Sequence, residues 1–177
     1  MIAIKIIDGD EITASKYFGR AFLPESWLGS DEFSEGEIFF CQIALADLKG
    51  FEGAEVLPDE GYLYFFMDFD RRTVKGTVRF ALSPDAYTFF NEQAEIDYDV
   101  ETERLIGFYR ADDADAGLLP RHKKLSDSEV CLLKFTPDRF DKMDFLSGVN
   151  GSIMFVIDAK DLKNRRFDKA FLINVTD

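Results

Sequence analysis

The chain is poor in the residues that most catalysis and metal binding draw on. It holds one histidine, His122, and two cysteines, Cys41 and Cys131. A nucleophile needs a base within hydrogen-bond reach, most often histidine, and His122 falls in the basic run Arg121-His122-Lys123-Lys124, which reads as a polar surface loop. One histidine and two distant cysteines are too few soft ligands for zinc. Neither cysteine has a neighbouring His or cation to favour its thiolate. Both lie in apolar, strand-like runs, so buried reduced thiols of an intracellular protein are expected rather than a disulfide. No G-x-S-x-G elbow, P-loop or G-x-G-x-x-G is present. Long apolar runs are missing too: none approaches the roughly 20 residues that span a bilayer. Residues 1–10 have no basic start, no long apolar stretch and no small-residue cleavage site, so no secretory signal is read and a cytoplasmic location is expected.

Positive charge is the next shortage. With 21 Lys+Arg against 34 Asp+Glu, the formal charge is −13 over 177 residues. Phosphate backbones and anionic headgroups need clustered Lys/Arg to displace counterions. The one compact basic run, at 121–124, follows directly on the acidic Asp112-Asp113-Ala114-Asp115. Nucleic acid and membrane are therefore not expected partners. A protein partner with a basic surface is, because a strongly negative field speeds encounter with positive patches.

Carboxylates are plentiful, so oxygen-ligated metals and acid–base pairs need separate consideration. Asp113-Ala114-Asp115-Ala116-Gly117 opens like a calcium loop but lacks the third ligand, the glycine at position six and the closing Glu, and reads as a solvated loop. Asp68-Phe69-Asp70 sets two carboxylates on one face of a strand end beside Arg71 and Arg72. That pattern suits Mg²⁺, an acid–base pair or an internal salt bridge. No catalytic residue, resident metal or cofactor is assigned. Whether the chain is an enzyme stays open, with the balance against it.

What the chain does have is aromatic strands. Its 19 Phe and six Tyr fall mostly in short runs of strand character. Strands are predicted at Ile2–Ile7, Glu37–Leu45, Gly61–Asp68, Thr73–Leu82, Ala94–Val100, Leu105–Tyr109, Val130–Phe135, Ser152–Ile157 and Lys169–Val175. Helices are few: one turn at Ala46–Gly50, one from Ser83-Pro84-Asp85 through Asn91, one at Arg139–Leu146 after Thr136-Pro137-Asp138, and Ala159–Arg165 behind an Asp158 N-cap. Gly61-Tyr62-Leu63-Tyr64-Phe65-Phe66-Met67-Asp68 and Gly151-Ser152-Ile153-Met154-Phe155-Val156-Ile157-Asp158 share Gly, an aliphatic residue, Phe and Asp at positions one, three, five and eight, about 90 residues apart. Each follows an apolar strand. Cys41 and Cys131 also differ by 90, although a further shift of two, pairing Leu48 with Phe140, is an alternative alignment. The expected fold is α+β but mainly β: a single domain over 1–177, built from two similar halves at about 37–83 and 129–175.

Ser15-Lys16-Tyr17-Phe18-Gly19-Arg20-Ala21-Phe22-Leu23-Pro24 with Trp27, Phe39-Phe40-Cys41-Gln42-Ile43-Ala44-Leu45, and Leu57-Pro58-Asp59-Glu60-Gly61-Tyr62-Leu63-Tyr64-Phe65-Phe66-Met67-Asp68 together resemble the YwqG-like family of bacterial proteins, a domain of unknown function. Gly151–Phe155, Asp161-Leu162 and Phe167 resemble the family's closing strand, helix and strand. The likeness runs over about 15–175 and is patchy between Asp70 and Ser128. The family's Gln-Leu-Asp, Trp-Gly and Gln-Cys in the second half are replaced here by Lys134-Phe135-Thr136, Ser147-Gly148 and Asn174-Val175, which alters any pocket those groups build. The resemblance implies a mainly β, internally duplicated α+β structure with no established activity or cofactor. Some members lie beside toxin genes, which puts an immunity or regulatory role among the expectations.

The expected function is thus a non-catalytic, acidic protein-binding domain. The alternative is a small-ligand binder or enzyme using a carboxylate site near Asp68 and Asp70. Binding candidates are Trp27, Gln42, Asp68 and Asp70. Each has a structural reading beside the functional one: Gln42 as a buried amide serving the backbone, Asp68 as a turn cap like Asp158, and Trp27 as core or interface anchor.

Overall fold

Runs of large apolar side chains broken by turn residues pair into one antiparallel sheet that curls almost shut. The structure, a computed structural model, describes residues 1–29, 31–34, 36–70, 73–88, 103–136 and 151–175. The strands are β1 (Ile2–Ile6), β2 (Lys16–Tyr17), β3 (Ala21–Leu23), β4 (Glu37–Ala44), β5 (Tyr62–Asp70), β6 (Thr73–Ala81), β7 (Ala86–Thr88), β8 (Arg104–Arg110), β9 (Ala116–Leu118), β10 (Glu129–Phe135), β11 (Ser152–Asp158) and β12 (Phe171–Val175). Ten of them form a sheet in the order β12-β11-β10-β9-β1-β8-β2-β4-β5-β6, while β3 and β7 make a separate two-stranded ribbon. The two outer strands, β6 and β12, approach one another. A Cβ added at Gly76 on β6 would stand 2.5 Å from a ring carbon of Phe155 and 2.7 Å from Leu172 Cβ. Closure of this kind leaves few free edges, and only glycine lets β6 come that near.

The concave side of the sheet encloses the main core. Leu63, Phe65 and Met67 of β5 meet Ile153, Phe155 and Ile157 of β11 there, with Phe40 between them. Phe40 contacts Phe135 (ring centroids 5.3 Å) and Phe155 (6.3 Å). Each such side chain contributes about 1.5–3 kcal/mol by leaving water. The opposite face of β5 is also covered: Tyr64 and Phe66 lie with Phe39, Ala21 and Leu23 under Trp27 and Phe33. Behind β11 a third cluster holds Cys131, Met154, Val156 and Val175. Strands buried on both faces read as continuous apolar runs, which accounts for the 61–68 and 151–158 sequences.

Irregularities carry the rest of the geometry. The register shifts between Phe39 and Cys41 on β4 and between Cys131 and Leu133 on β10. The shift turns Phe40 and Cys41 together into the main core and leaves Cys131 in the outer cluster. Both thiols are buried and free. Burial pushes Cys131 up to about 12 and Cys41 well above the ordinary thiol range.

Several expectations change. Over the described residues 83–88 the helix expected from Ser83-Pro84-Asp85 is not formed: Ala86–Thr88 is strand β7, paired with Leu23–Ala21. Asp85 does accept from a backbone N–H, but from Glu25 across the ribbon at 2.7 Å rather than from a turn of its own. Cross-strand pairing has outweighed a local capping preference. Asp68 caps no turn, because β5 runs on to Asp70, which pairs with Thr73. Asp158 does cap: its Oδ1 accepts from Lys160 N–H at 2.8 Å and opens α1 (Ala159–Lys163). The turn expected at 46–50 is a 3₁₀ helix at Leu45–Leu48. The strand predicted at Ala94–Val100 and the helix at Arg139–Leu146 lie outside the described residues. Among the described residues no helix is long and apolar enough to cross a membrane.

Candidate functional site

The polar side chains that stand out in the apolar strands gather at one end of the β2–β4 pair. Ser15, Lys16 and Gln42 are buried, each with no measurable exposure. Buried polar groups must be hydrogen-bonded, and all three meet that demand, Gln42 on backbone and Ser15 and Lys16 on backbone together with a carboxylate. Gln42, opposite Lys16 on β4, donates to Ala14 O at 2.8 Å and Ile12 O at 3.4 Å, while its Oε1 accepts from Phe22 N–H at 2.9 Å. Ser15 accepts from Ala44 N–H at 2.8 Å and donates to Asp47 at 2.7 Å. Lys16 Nζ donates to Ile12 O at 3.1 Å and to Glu103 Oε2 at 2.8 Å, and lies 4.9 Å from the centre of the Tyr87 ring. Tyr87 donates to the same carboxylate oxygen at 3.1 Å.

Two features make room for this cluster. Phe18 and Gly19 take left-handed backbone, at φ 53° and 67°. A Cβ at Gly19 would fall 2.4 Å from Glu103 Cβ, so the bare glycine lets Glu103 reach Lys16. Burial lowers the Lys16 ammonium below its ordinary range, and the bond and charge of Glu103 partly restore it.

The consequence is a fastened loop. Three successive carbonyls, those of Ile12, Thr13 and Ala14, are each held by a side chain: Ile12 by Lys16, Thr13 by Tyr62 (3.0 Å) and Ala14 by Gln42. Ala14 N–H closes the turn on Glu11 O at 3.2 Å. What the loop shows to solvent is acidic and aliphatic at once. Asp8, Asp10 and Glu11 are exposed, and Ile6, Ile7 and Ile12 are 38%, 40% and 44% exposed. Burial, then the charge of Asp47 and lastly that of Glu11, raise the nearby Tyr62 hydroxyl above its ordinary value, against the lowering effect of its bond to Thr13.

Of the sequence candidates whose side chains are described, Trp27 and Gln42 lie together and Asp68 stands apart. Trp27 and Gln42 both lie near Tyr64: the indole packs edge-on to its ring at 5.5 Å, and Gln42 is its cross-strand partner. Trp27 is half-buried packing over the Tyr64–Phe66 cluster on the far face of β5. Asp68 sits four residues further along β5, roughly 13 Å at the strand repeat, opposite Glu37 and Lys75. The Asp70 side chain, and Arg71 and Arg72 entirely, lie outside the described residues. Among the described residues no group of three or more His, Cys, Asp or Glu is placed to hold a metal ion. Sequence reasoning missed Lys16, Ser15 and Glu103 as a unit. A lysine amid apolar neighbours at Tyr17-Phe18 was the available signal. Compared with known proteins, the chain matches no family model and no curated protein.

Proposed function

We propose that this protein is a non-catalytic binding domain that presents the Ile7–Ala14 loop, fastened at residues 12–14 and entered from Ile6 at the end of β1, to a protein partner with a basic, partly apolar surface. The observation that carries this reading is the pinning of the Ile12, Thr13 and Ala14 carbonyls beneath exposed isoleucines and carboxylates. A pre-ordered loop loses little entropy on binding, exposed aliphatics supply area, and the net charge of −13 steers cationic partners towards it. The family resemblance and an immunity or regulatory role fit this reading and belong to the same proposal.

The internal duplication belongs here too. Its support is that Gly61 and Gly151 share left-handed backbone, at φ 95° and 94°. The strand registers also correspond: Cys41 pairs with Phe65 as Leu133 pairs with Phe155, and Phe39 with Phe66 as Cys131 with Val156. This favours the alignment shifted by two, in which Cys41 corresponds to Leu133. An experimental structure pairing Cys131 with Phe155 would remove that support.

The binding reading is tested by selecting ligands from a random displayed-peptide library, then measuring the winners against the Asp8→Lys/Asp10→Lys/Glu11→Lys variant. Selected peptides should mix Lys/Arg with aliphatic or aromatic residues and weaken steeply with salt, whose screening length is about 10 Å at 0.1 M. The reversed variant should lose them. Neutral or acidic winners, or equal binding by the variant, would refute the reading.

A further inference from the structure

The side of the molecule built from the 45–57 turns, the end of β8 and the 119–124 loop carries a different feature. A cleft of about 890 Å³ is lined by Arg110, Arg121, His122 and Lys134. In a chain of net charge −13, three cationic side chains, Arg110, Arg121 and Lys134, come here from three separate stretches. Through Phe51, Glu52, Glu55 and Arg110 the cleft adjoins a second pocket of about 310 Å³, whose walls include Leu45, Leu48 and Leu57. Volumes of this size suit small molecules.

Carboxylates also face the cleft, at Glu52, Glu55, Asp112 and Asp113. Their hold on the cations is loose. Arg110 lies 3.7 Å from Glu52 and Lys134 3.5 Å from Asp113, and those two acids are 86% and 89% exposed. Elsewhere the ion pairs close properly: 2.8 Å for Lys16–Glu103, 3.0 Å for Arg166–Asp161 and 2.9 Å for Lys169–Asp168. Arg110 and Lys134 each also reach one backbone carbonyl, Arg110 that of Gly50 at 3.5 Å and Lys134 that of Ala114 at 3.3 Å, and contacts beyond about 3.2 Å are weak enough for a better-placed carboxylate to displace. Leu119, which leads into this loop, holds left-handed backbone at φ 51°, a conformation that non-glycine residues keep where surrounding structure enforces it.

The geometry points to a binding site for a carboxylate carried on an apolar tail, the carboxylate taken by Arg110, Arg121 and Lys134 and the tail by the half-buried Phe51 and Ala54, which pack over Leu45, Leu48 and Leu57. A bidentate guanidinium contact suits a carboxylate. A free aliphatic acid and the C-terminus of a peptide ending in an aliphatic residue share that chemistry.

Octanoate and N-acetyl-Gly-Leu, each beside its neutral amide, are titrated against the isotope-labelled full chain and followed by amide resonances. At least one acid should give a saturable shift at residues 48–57 and 119–124, with its amide roughly tenfold weaker. Arg110→Ser/Arg121→Ser should weaken the acid by roughly tenfold or more, and Glu52→Gln/Asp113→Asn should tighten it several-fold by removing the competing acids. Which acid binds separates the two sources. No saturation by either acid up to about 10 mM, equal binding of acid and amide, or reversed signs in the two double variants would overturn the proposal.

Discussion

Removing the two partners of the buried ion pair should have unequal effects. Lys16 has no exposed surface, whereas the Glu103 side chain keeps 19% of its own. Glu103→Ala leaves an ammonium inside the protein with only the Ile12 carbonyl at 3.1 Å and the Tyr87 ring at 4.9 Å. Breaking a buried pair from one side costs about 3–5 kcal/mol, and the partial exposure of Glu103 reduces that to roughly 2–4. Lys16→Met removes the charge that has to be buried and fills nearly the same volume. Glu103 then keeps its solvent contact and the Tyr87 hydroxyl, so the cost should be about 1 kcal/mol or less. The double variant should be more stable than Glu103→Ala alone. Urea unfolding with linear extrapolation reads all three. Equal costs for the two single variants, or strict additivity, would refute the claim that Lys16 is held charged by Glu103. pH provides a second check. The folded pKa of Lys16 is lowered from 10.5, so the unfolded chain binds the extra proton in that window. The stability of wild type relative to Lys16→Met should therefore rise as pH climbs through the folded value towards about 10.5. Tyr62 and Tyr87 act oppositely above pH 10, because burial raises both hydroxyls. Referencing to the variant reduces their contribution.

Gly76→Val should cost about 1–3 kcal/mol by forcing β6 away from Phe155 and Leu172, read as a lowered urea midpoint; an unchanged midpoint would mean that the sheet ends do not meet. Asp158→Ala should cost about 1 kcal/mol and Asp158→Asn much less, because the N-cap bond to Lys160 needs only an oxygen acceptor; thermal unfolding separates them. Cys41 and Cys131 should resist a thiol reagent at pH 8 until denaturant is added, since both are buried and both thiols are raised; rapid labelling of the native protein would contradict their placement.

The long strands were legible because their signal is composition over six or more residues. Glu37–Ala44, Tyr62–Asp70 and Glu129–Phe135 each fall within one or two residues of the predicted span. Strands of two or three residues were not legible: Lys16–Tyr17, Ala21–Leu23 and Ala116–Leu118 are too short to show a period, and exist because neighbours already in place offer them partners. Ser83-Pro84-Asp85 misled for a related reason, since a capping signature reports local preference and Ala86–Thr88 is decided by its pairing with β3. In the site, Gln42 was correctly open to reading as a buried amide. Its partners in the 12–14 loop and at Phe22 could not be read, because they depend on how the chain folds back over a separation of 20–30 residues.

The Ser15, Lys16 and Gln42 side chains therefore do not advertise a ligand; their hydrogen-bonding capacity is spent on the protein's own backbone and on the carboxylates of Asp47 and Glu103. A polar group placed in an apolar strand has to be satisfied by something, and here the nearest unsatisfied groups are the carbonyls of a loop too polar to bury itself. Lys16 and Gln42 solve both problems together, gaining partners for themselves and order for residues 12–14. The order is what matters for recognition. A loose acidic loop would have to be immobilised by its partner, whereas one already tied at three carbonyls gives its exposed isoleucines and carboxylates a fixed geometry. Gln42→Leu should accordingly separate fold from recognition. It leaves Ala14 O and Phe22 N–H without their amide partner, at a cost of about 1–3 kcal/mol, while amide exchange in residues 11–15 should accelerate more than in β5 or β11. Uniform acceleration across the sheet would show that the amide supports the fold at large and not the loop.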